Sequence, residues 1–222
     1  MPRGPRFTFK NAFYHVFNRG INKQEIFLDD NDCVFFLNKL LGLKNKYDHS
    51  IYALCLMSNH FHISIQTRKT SISKIMSSLT TSYSMYFNRK YQHFGPVFQN
   101  RFKSILIEND SYFLELSRYI YLNPVKTGLV QDPALYKYTS LREALGKEPL
   151  YFLDQDILRL IGETKKSIKD YQEFVYDGIN KDLDSIGRLF ETEEAVMGSN
   201  RFSTLAQKKY LRRKNKTISN LD

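Results

Sequence analysis

The sequence predicts an α+β fold in which one sheet is built from two strand–helix–strand units, and three observations lead there. An uncharged run from Ile51 to Ile65, rich in Ile, Tyr, Leu and Phe, is too long for one ordinary strand and reads as two strands joined near Ser58-Asn59. Two stretches with apolar residues at helical spacing flank that run. Outside each of them stands a short segment of strand composition, Phe13 to Asn18 before and Phe102 to Ile107 after.

Taken in order, Phe13 to Asn18 is aromatic and β-branched, a first strand. Asp29, Asp30 and Asn31 then offer capping side chains, and Cys33, Phe36, Leu37, Leu40 and Leu41 follow at helical spacing. That helix fades through Lys44 to Asp48. The two strands of Ile51 to Ile65 come next. Ser71 or Ser73 opens a second helix with Ile72, Ile75, Met76, Leu79, Tyr83 and Tyr86 on one side. A turn at Gly95-Pro96 leads to the strand ending at Ile107. Strand, helix, strand, strand, helix, strand is the ferredoxin-like βαββαβ arrangement. A further helix starts near Asp110 or Ser111, and it is expected to stop around Leu122, because Pro124 biases Asn123 out of the helical region.

With 222 residues, 42 % of them hydrophobic, the chain can bury a core domain of 1–130 and carry a mainly helical extension over 131–222. In that extension a short helix is expected around Tyr138 to Leu145, and amphipathic ones over Asp154 to Gly162 and Ser167 to Asn180. Another is expected from Asp184 to Met197, and a basic, mobile tail over Gln207 to Lys216. No apolar run nears the roughly 20 residues of a membrane span, and no signal-type stretch follows Met1, so a soluble cytoplasmic protein is expected. Cys33 and Cys55 lie in apolar surroundings and read as buried thiols.

Charge is distributed unevenly about a net +10. No acidic residue lies between Asp48 and Glu108, where Arg68, Lys69, Lys74, Arg89, Lys90, Arg101 and Lys103 all fall. Before Glu25 stand Arg3, Arg6, Lys10, Arg19 and Lys23 with nothing to offset them. Such a field suits a polyanion, nucleic acid first among them. Tyr83, Tyr86, Phe87, Tyr91, Phe94, Phe98 and Phe102 are interleaved with it, as in proteins that stack single-stranded bases, although most of these rings should be core.

The candidate chemistry starts at His60-Phe61-His62. Residues two apart on a strand share a face, so the two imidazoles project together while Phe61 and Ile63 face the core. A parallel imidazole pair is half of a metal site, or two histidines on a solvated sheet face. On the helix after the last strand, Tyr119 and Asn123 are four apart and share a side, whereas Tyr121 is turned about 200° from Tyr119. Only one tyrosine can therefore face a site together with Asn123. His15 on the first strand reads as a hydrogen-bonded structural histidine that could approach the same site.

These stretches together carry a resemblance. Tyr14-His15-Val16-Phe17-Asn18-Arg19-Gly20, Met57-Ser58-Asn59-His60-Phe61-His62, Arg101-Phe102-Lys103-Ser104 and Arg118-Tyr119-Ile120-Tyr121-Leu122-Asn123-Pro124-Val125-Lys126-Thr127-Gly128 resemble the single-tyrosine HUH transposases. Within them the pattern around Asn123-Pro124-Val125 is similar to the REP-associated tyrosine transposases. The resemblance covers about residues 7 to 130.

It implies a ferredoxin-like palm followed by a nucleophile-bearing helix. It further implies metal ligands His60, His62 and Asn123, a nucleophile Tyr119, and magnesium or manganese as the divalent ion. The activity implied is cleavage and rejoining of single-stranded DNA at hairpin elements through a 5′-phosphotyrosine link. Arg19, Arg101, Lys103 and Lys126 are the phosphate contacts expected on this reading. Two alternatives stay open, a catalytically silent hairpin-DNA binder and a metal-dependent phosphoesterase that uses water. A homodimer with a shared active site is also open.

Overall fold

The computed structural model describes residues 7–108, 110–181 and 196–218. Its core runs β1 (Phe13–Arg19), α1 (Asp30–Tyr47), β2 (His49–Met57), β3 (His60–Thr67), α2 (Ile72–Tyr91), β4 (Lys103–Ile107) and α3 (Asp110–Lys126). The sheet order is β2-β3-β1-β4, each neighbour antiparallel, which is the expected ferredoxin-like topology. A fifth strand that the sequence does not announce, β5 (Val196–Met197), adds in parallel to β4. Two residues are too few to show a period in sequence.

Local chemistry accounts for the element ends. Asp29 caps α1 in a capping box: its carboxylate accepts from the Asp32 amide, while Asp32 accepts back from the Asp29 amide. Ser71 caps α2 by accepting from the Lys74 amide. The turn at Ser58-Asn59 is fastened from outside, since the Ser58 carbonyl accepts from the amides of both Ile26 and Phe27.

Alternation along the strands sorts residues between two faces. Val16, Leu54, Leu56, Phe61 and Ile63 lie on the face covered by α1 and α2 and are almost fully buried. There Phe36 meets Phe61 at 4.9 Å and Tyr83 at 5.3 Å between ring centroids. Helix α3 packs on the opposite face, over β2 and β3.

Helix α3 corrects one expectation. It does not stop at Leu122 but continues through Pro124 to Lys126. Proline withdraws only its own amide from the ladder. The Thr127 amide still reaches the Asn123 carbonyl at 3.1 Å, and burial of Tyr121, Leu122 and Asn123 holds the last turn against the sheet. The helix is ended instead by Gly128, in the left-handed region at φ 74°, with its amide on the Val125 carbonyl.

Residues beyond 130 cover both margins of the sheet. The segment around Thr139 bridges to Cys55, and the Leu54 amide and carbonyl both bond to Ser140, which closes the outer edge of β2. Asp154 does the same for Ile51, its carboxylate accepting from the Ile51 amide at 2.7 Å. Helices α4 (Leu141–Ala144), α5 (Asp156–Ile161) and α6 (Lys165–Asp177) stand near the expected positions, α6 with a Thr164–Ser167 capping box. Gln207 to Lys216, expected to be mobile, belongs to a helix, α7 (Asn200–Ile218). The helix expected over Asp184 to Met197 lies, up to residue 195, outside the described residues, and its last two positions are instead the strand β5, held by pairing to β4.

Candidate active site

The register of β1 against β3 sets Phe17 opposite His62 and Arg19 opposite His60, so the histidine face includes both strands. Helix α3 lies over that face. His62 and Tyr119 rings meet perpendicularly with centroids 5.6 Å apart, and His60 Nε2 is 3.3 Å from Asn123 Oδ1. The four residues singled out in the sequence thus converge, and the survival of α3 past Pro124 is what brings Asn123 within reach. His62 and Tyr119 are buried rather than solvated, at 4 % and 9 % exposure. Tyr121 points the other way, its hydroxyl directed to Ser140 Oγ at 3.3 Å, and burial raises its pKa well above the usual phenol value.

Hydrogen bonding around His60 bears on whether these residues suit a cation. Asn59 donates its amide nitrogen to the Lys23 carbonyl at 3.2 Å, which turns Asn59 Oδ1 toward His60 Nδ1 at 2.5 Å. A neutral imidazole has one N–H, and in the tautomer protonated on Nδ1 the shorter contact, to Asn59 Oδ1, accepts it. The bare Nε2 lone pair then faces a second oxygen, Asn123 Oδ1. Double protonation would satisfy both, but burial lowers the His60 pKa, with a partial offset from Asn123. The Asn123 amide nitrogen is itself buried without a hydrogen-bond partner among the described residues.

Two lone pairs 3.3 Å apart suit adjacent ligands of one ion, since cis positions at 2.0–2.1 Å are separated by about 3 Å. Two imidazoles and an amide oxygen are a donor set that fits a divalent cation. Among the described residues no group of three His, Cys, Asp or Glu side chains forms a metal cluster.

His62 is held similarly. Its Nδ1 lies 2.9 Å from His15 Nε2, and the two rings lie side by side, 17° from coplanar, with centroids 5.1 Å apart. Burial lowers the His62 pKa well below the ordinary imidazole value, with smaller contributions from His60 and His15. His15 is pushed down to about 3 by burial. The sequence placed His15 only near the site. Its contact with His62 depends on a β1–β3 register that joins residues 47 apart.

Cations ring this end of the sheet. The Lys126 ammonium lies 5.6 Å from the Tyr119 ring centroid, and Lys103 lies 5.9 Å from that of Phe17. Arg19 stands beside His60 across the strands and donates to Gln99 Oε1. Arg101 is exposed just ahead of β4, which opens at Lys103 rather than Phe102. Of the interleaved aromatics, Tyr83, Phe87, Phe98 and Phe102 are core, while Phe94 is 94 % exposed.

A ferredoxin-like palm with a histidine pair beneath a tyrosine-bearing helix has the form of a single-tyrosine HUH transposase. The chain belongs to the IS200-like transposase family, whose sequence model matches residues 8–123 and so spans His60, His62, Tyr119 and Asn123. Among solved structures, it is similar to a REP-associated tyrosine transposase bound to a REP hairpin. That likeness has a TM-score of 0.58 at 18 % identity, covering 71 % of this chain and 93 % of the other, and it bears on the fold. A transposase structure from Deinococcus radiodurans R1 aligns at TM-score 0.38 and 14 % identity, over 54 % of this chain and 94 % of that one. The tRNA(His) guanylyltransferase of Saccharomyces cerevisiae aligns at 0.38 and 11 %, over 74 % and 77 %. Neither of these two is close enough to bear on function. No curated protein matches the chain in sequence.

Proposed function

We propose that this transposase cleaves and rejoins single-stranded DNA at hairpin elements through a covalent 5′-phosphotyrosine intermediate on Tyr119. The supporting observation is the convergence of Tyr119 and Asn123, from one side of α3, on His60 and His62 of β3. The similar solved transposase was captured on a hairpin, which supports a hairpin substrate here.

In the first step the Tyr119 hydroxyl gives its proton to water and its oxygen attacks phosphorus in line. The bond from phosphorus to the 3′ oxygen breaks, and that oxygen leaves as a 3′-hydroxyl once protonated. Tyrosine has an unperturbed pKa near 10, so only about one in a thousand is phenolate at neutral pH. The Lys126 ammonium lies 5.6 Å from the ring centroid. His60, His62 and Asn123 would hold the divalent ion, magnesium or manganese, which when bound supplies positive charge to a non-bridging phosphate oxygen. Arg19, Arg101 and Lys103 would hold the flanking phosphates. The phosphodiester energy is retained in the tyrosine link, so a 3′-hydroxyl from another strand can reverse the step and join to it.

The test uses a single-stranded oligonucleotide carrying a hairpin and a flanking single-stranded arm. With manganese present, the wild-type protein should form a covalent adduct stable on denaturing gels, and Tyr119→Phe should bind the same DNA without forming one. Binding without adduct by the wild type, under either metal, would instead indicate a hairpin-binding protein. Metal-dependent cleavage without an adduct would indicate a phosphoesterase.

A further inference from the structure

We infer that His15 is a positioning residue that fixes the ring tautomer of His62, and so presents His62 Nε2 to the divalent ion. The inference rests on the metal reading above.

His62 can ligate only through a nitrogen that bears a lone pair. Its Nδ1 is engaged by His15 Nε2 at 2.9 Å, so a metal ion would be met by the other ring nitrogen, Nε2. One proton lies between the two engaged nitrogens, and its location decides the outcome. If His62 Nδ1–H donates to His15, then His62 Nε2 is bare and can coordinate. If His15 Nε2–H donates instead, neutral His62 carries its own proton on Nε2 and coordination is blocked.

His60 supplies an internal parallel. Its Nδ1 proton is assigned by Asn59, which the Lys23 carbonyl orients, and its Nε2 faces Asn123. Each histidine of the pair is thus gripped at Nδ1 by a residue outside the ligand set, and the same tautomer serves both. A ligating imidazole whose second nitrogen is hydrogen-bonded is held in rotation as well as in proton state. His15 suits this work, since it is fully buried, and its ring packs in a cluster with those of Phe17 and His62, with centroids 5.1 Å from each.

Long-range proton–nitrogen NMR of the metal-free protein reads the tautomer directly, and should show His62 protonated on Nδ1. Manganese titration of variants reads the consequence. His15→Phe keeps a ring but removes the acceptor, and should weaken manganese binding by about 10- to 100-fold. His15→Gln returns an acceptor oxygen and should recover most of that loss. A purely structural role would change the melting temperature without this split between Phe and Gln.

Finding His62 protonated on Nε2, or wild-type manganese affinity in folded His15→Phe, would overturn the inference while leaving the metal site intact. If His15→Phe does not fold, the wild-type tautomer decides alone. Failure of the wild-type protein to bind manganese would overturn the metal reading, and this inference with it.

Discussion

The two faces of the sheet are made from alternate residues of the same strands, yet they are built to different ends. Toward α1 and α2, Val16, Leu54, Leu56, Phe61 and Ile63 meet rings such as Phe36 and Tyr83, and the contact is mostly apolar, with His49 and Thr67 the buried polar exceptions at one end. Toward α3 the same strands present His15, His62, Ser64 and Gln66, all buried just as deeply. Desolvating such groups costs free energy unless each is matched. Among the described residues, Ser64 Oγ and Asn123 Nδ2 are left without hydrogen-bond partners on that side. One face therefore supplies stability, and the other gives up part of it to hold donor atoms in fixed positions. The β-strand period of two lets a single run of sequence do both.

Substitutions on neighbouring residues should separate the two faces. His60→Ala or His62→Ala should reduce cleavage below detection with magnesium or manganese, while changing folding free energy by only about 1–2 kcal/mol. Phe61→Ala, between them, should cost about 3–5 kcal/mol in urea unfolding through the cavity it leaves against Phe36. Asn123→Ala should impair metal dependence less than either histidine change, since water can replace one neutral ligand. If a histidine variant cleaved at the wild-type rate, the division between the faces would not hold.

Much of this division is legible in the sequence, because it depends on local periods. His60, Phe61, His62 and Ile63 alternate visibly, and Tyr119, Tyr121 and Asn123 can be phased on a helix from their spacing alone. Asp29 announces the start of α1 through chemistry confined to four residues. The features that local periods do not reveal depend on distant contacts. Pro124 looks like a helix stop when only its neighbours are considered, and packing of α3 on the sheet overrides it. The strand Val196–Met197 acquires its identity from the edge of β4. The role of His15 requires the register of β1 on β3, and that of Asn59 requires the Lys23 carbonyl from another segment.

A smaller effect concerns the rim of the polar face. Binding to single-stranded DNA should weaken with salt at a log–log slope of about −0.7 per phosphate neutralised. Replacing Arg101 and Lys103 together by alanine should flatten that slope by roughly 1 to 1.5. A slope unchanged from the wild type would move the DNA path away from β4.

The central claim is that Tyr119, and not its neighbour two residues on, is the group that attacks phosphorus. Tyr119 lies over His62, whereas the Tyr121 hydroxyl is sealed in the core beside Ser140. Mass spectrometry of the nuclease-trimmed protein–DNA adduct tests this most directly. The modified peptide should carry its nucleotide on Tyr119, and the same adduct should form in Tyr121→Phe and be lost in Tyr119→Phe. A nucleotide on Tyr121, or an adduct that persists in Tyr119→Phe, would contradict it.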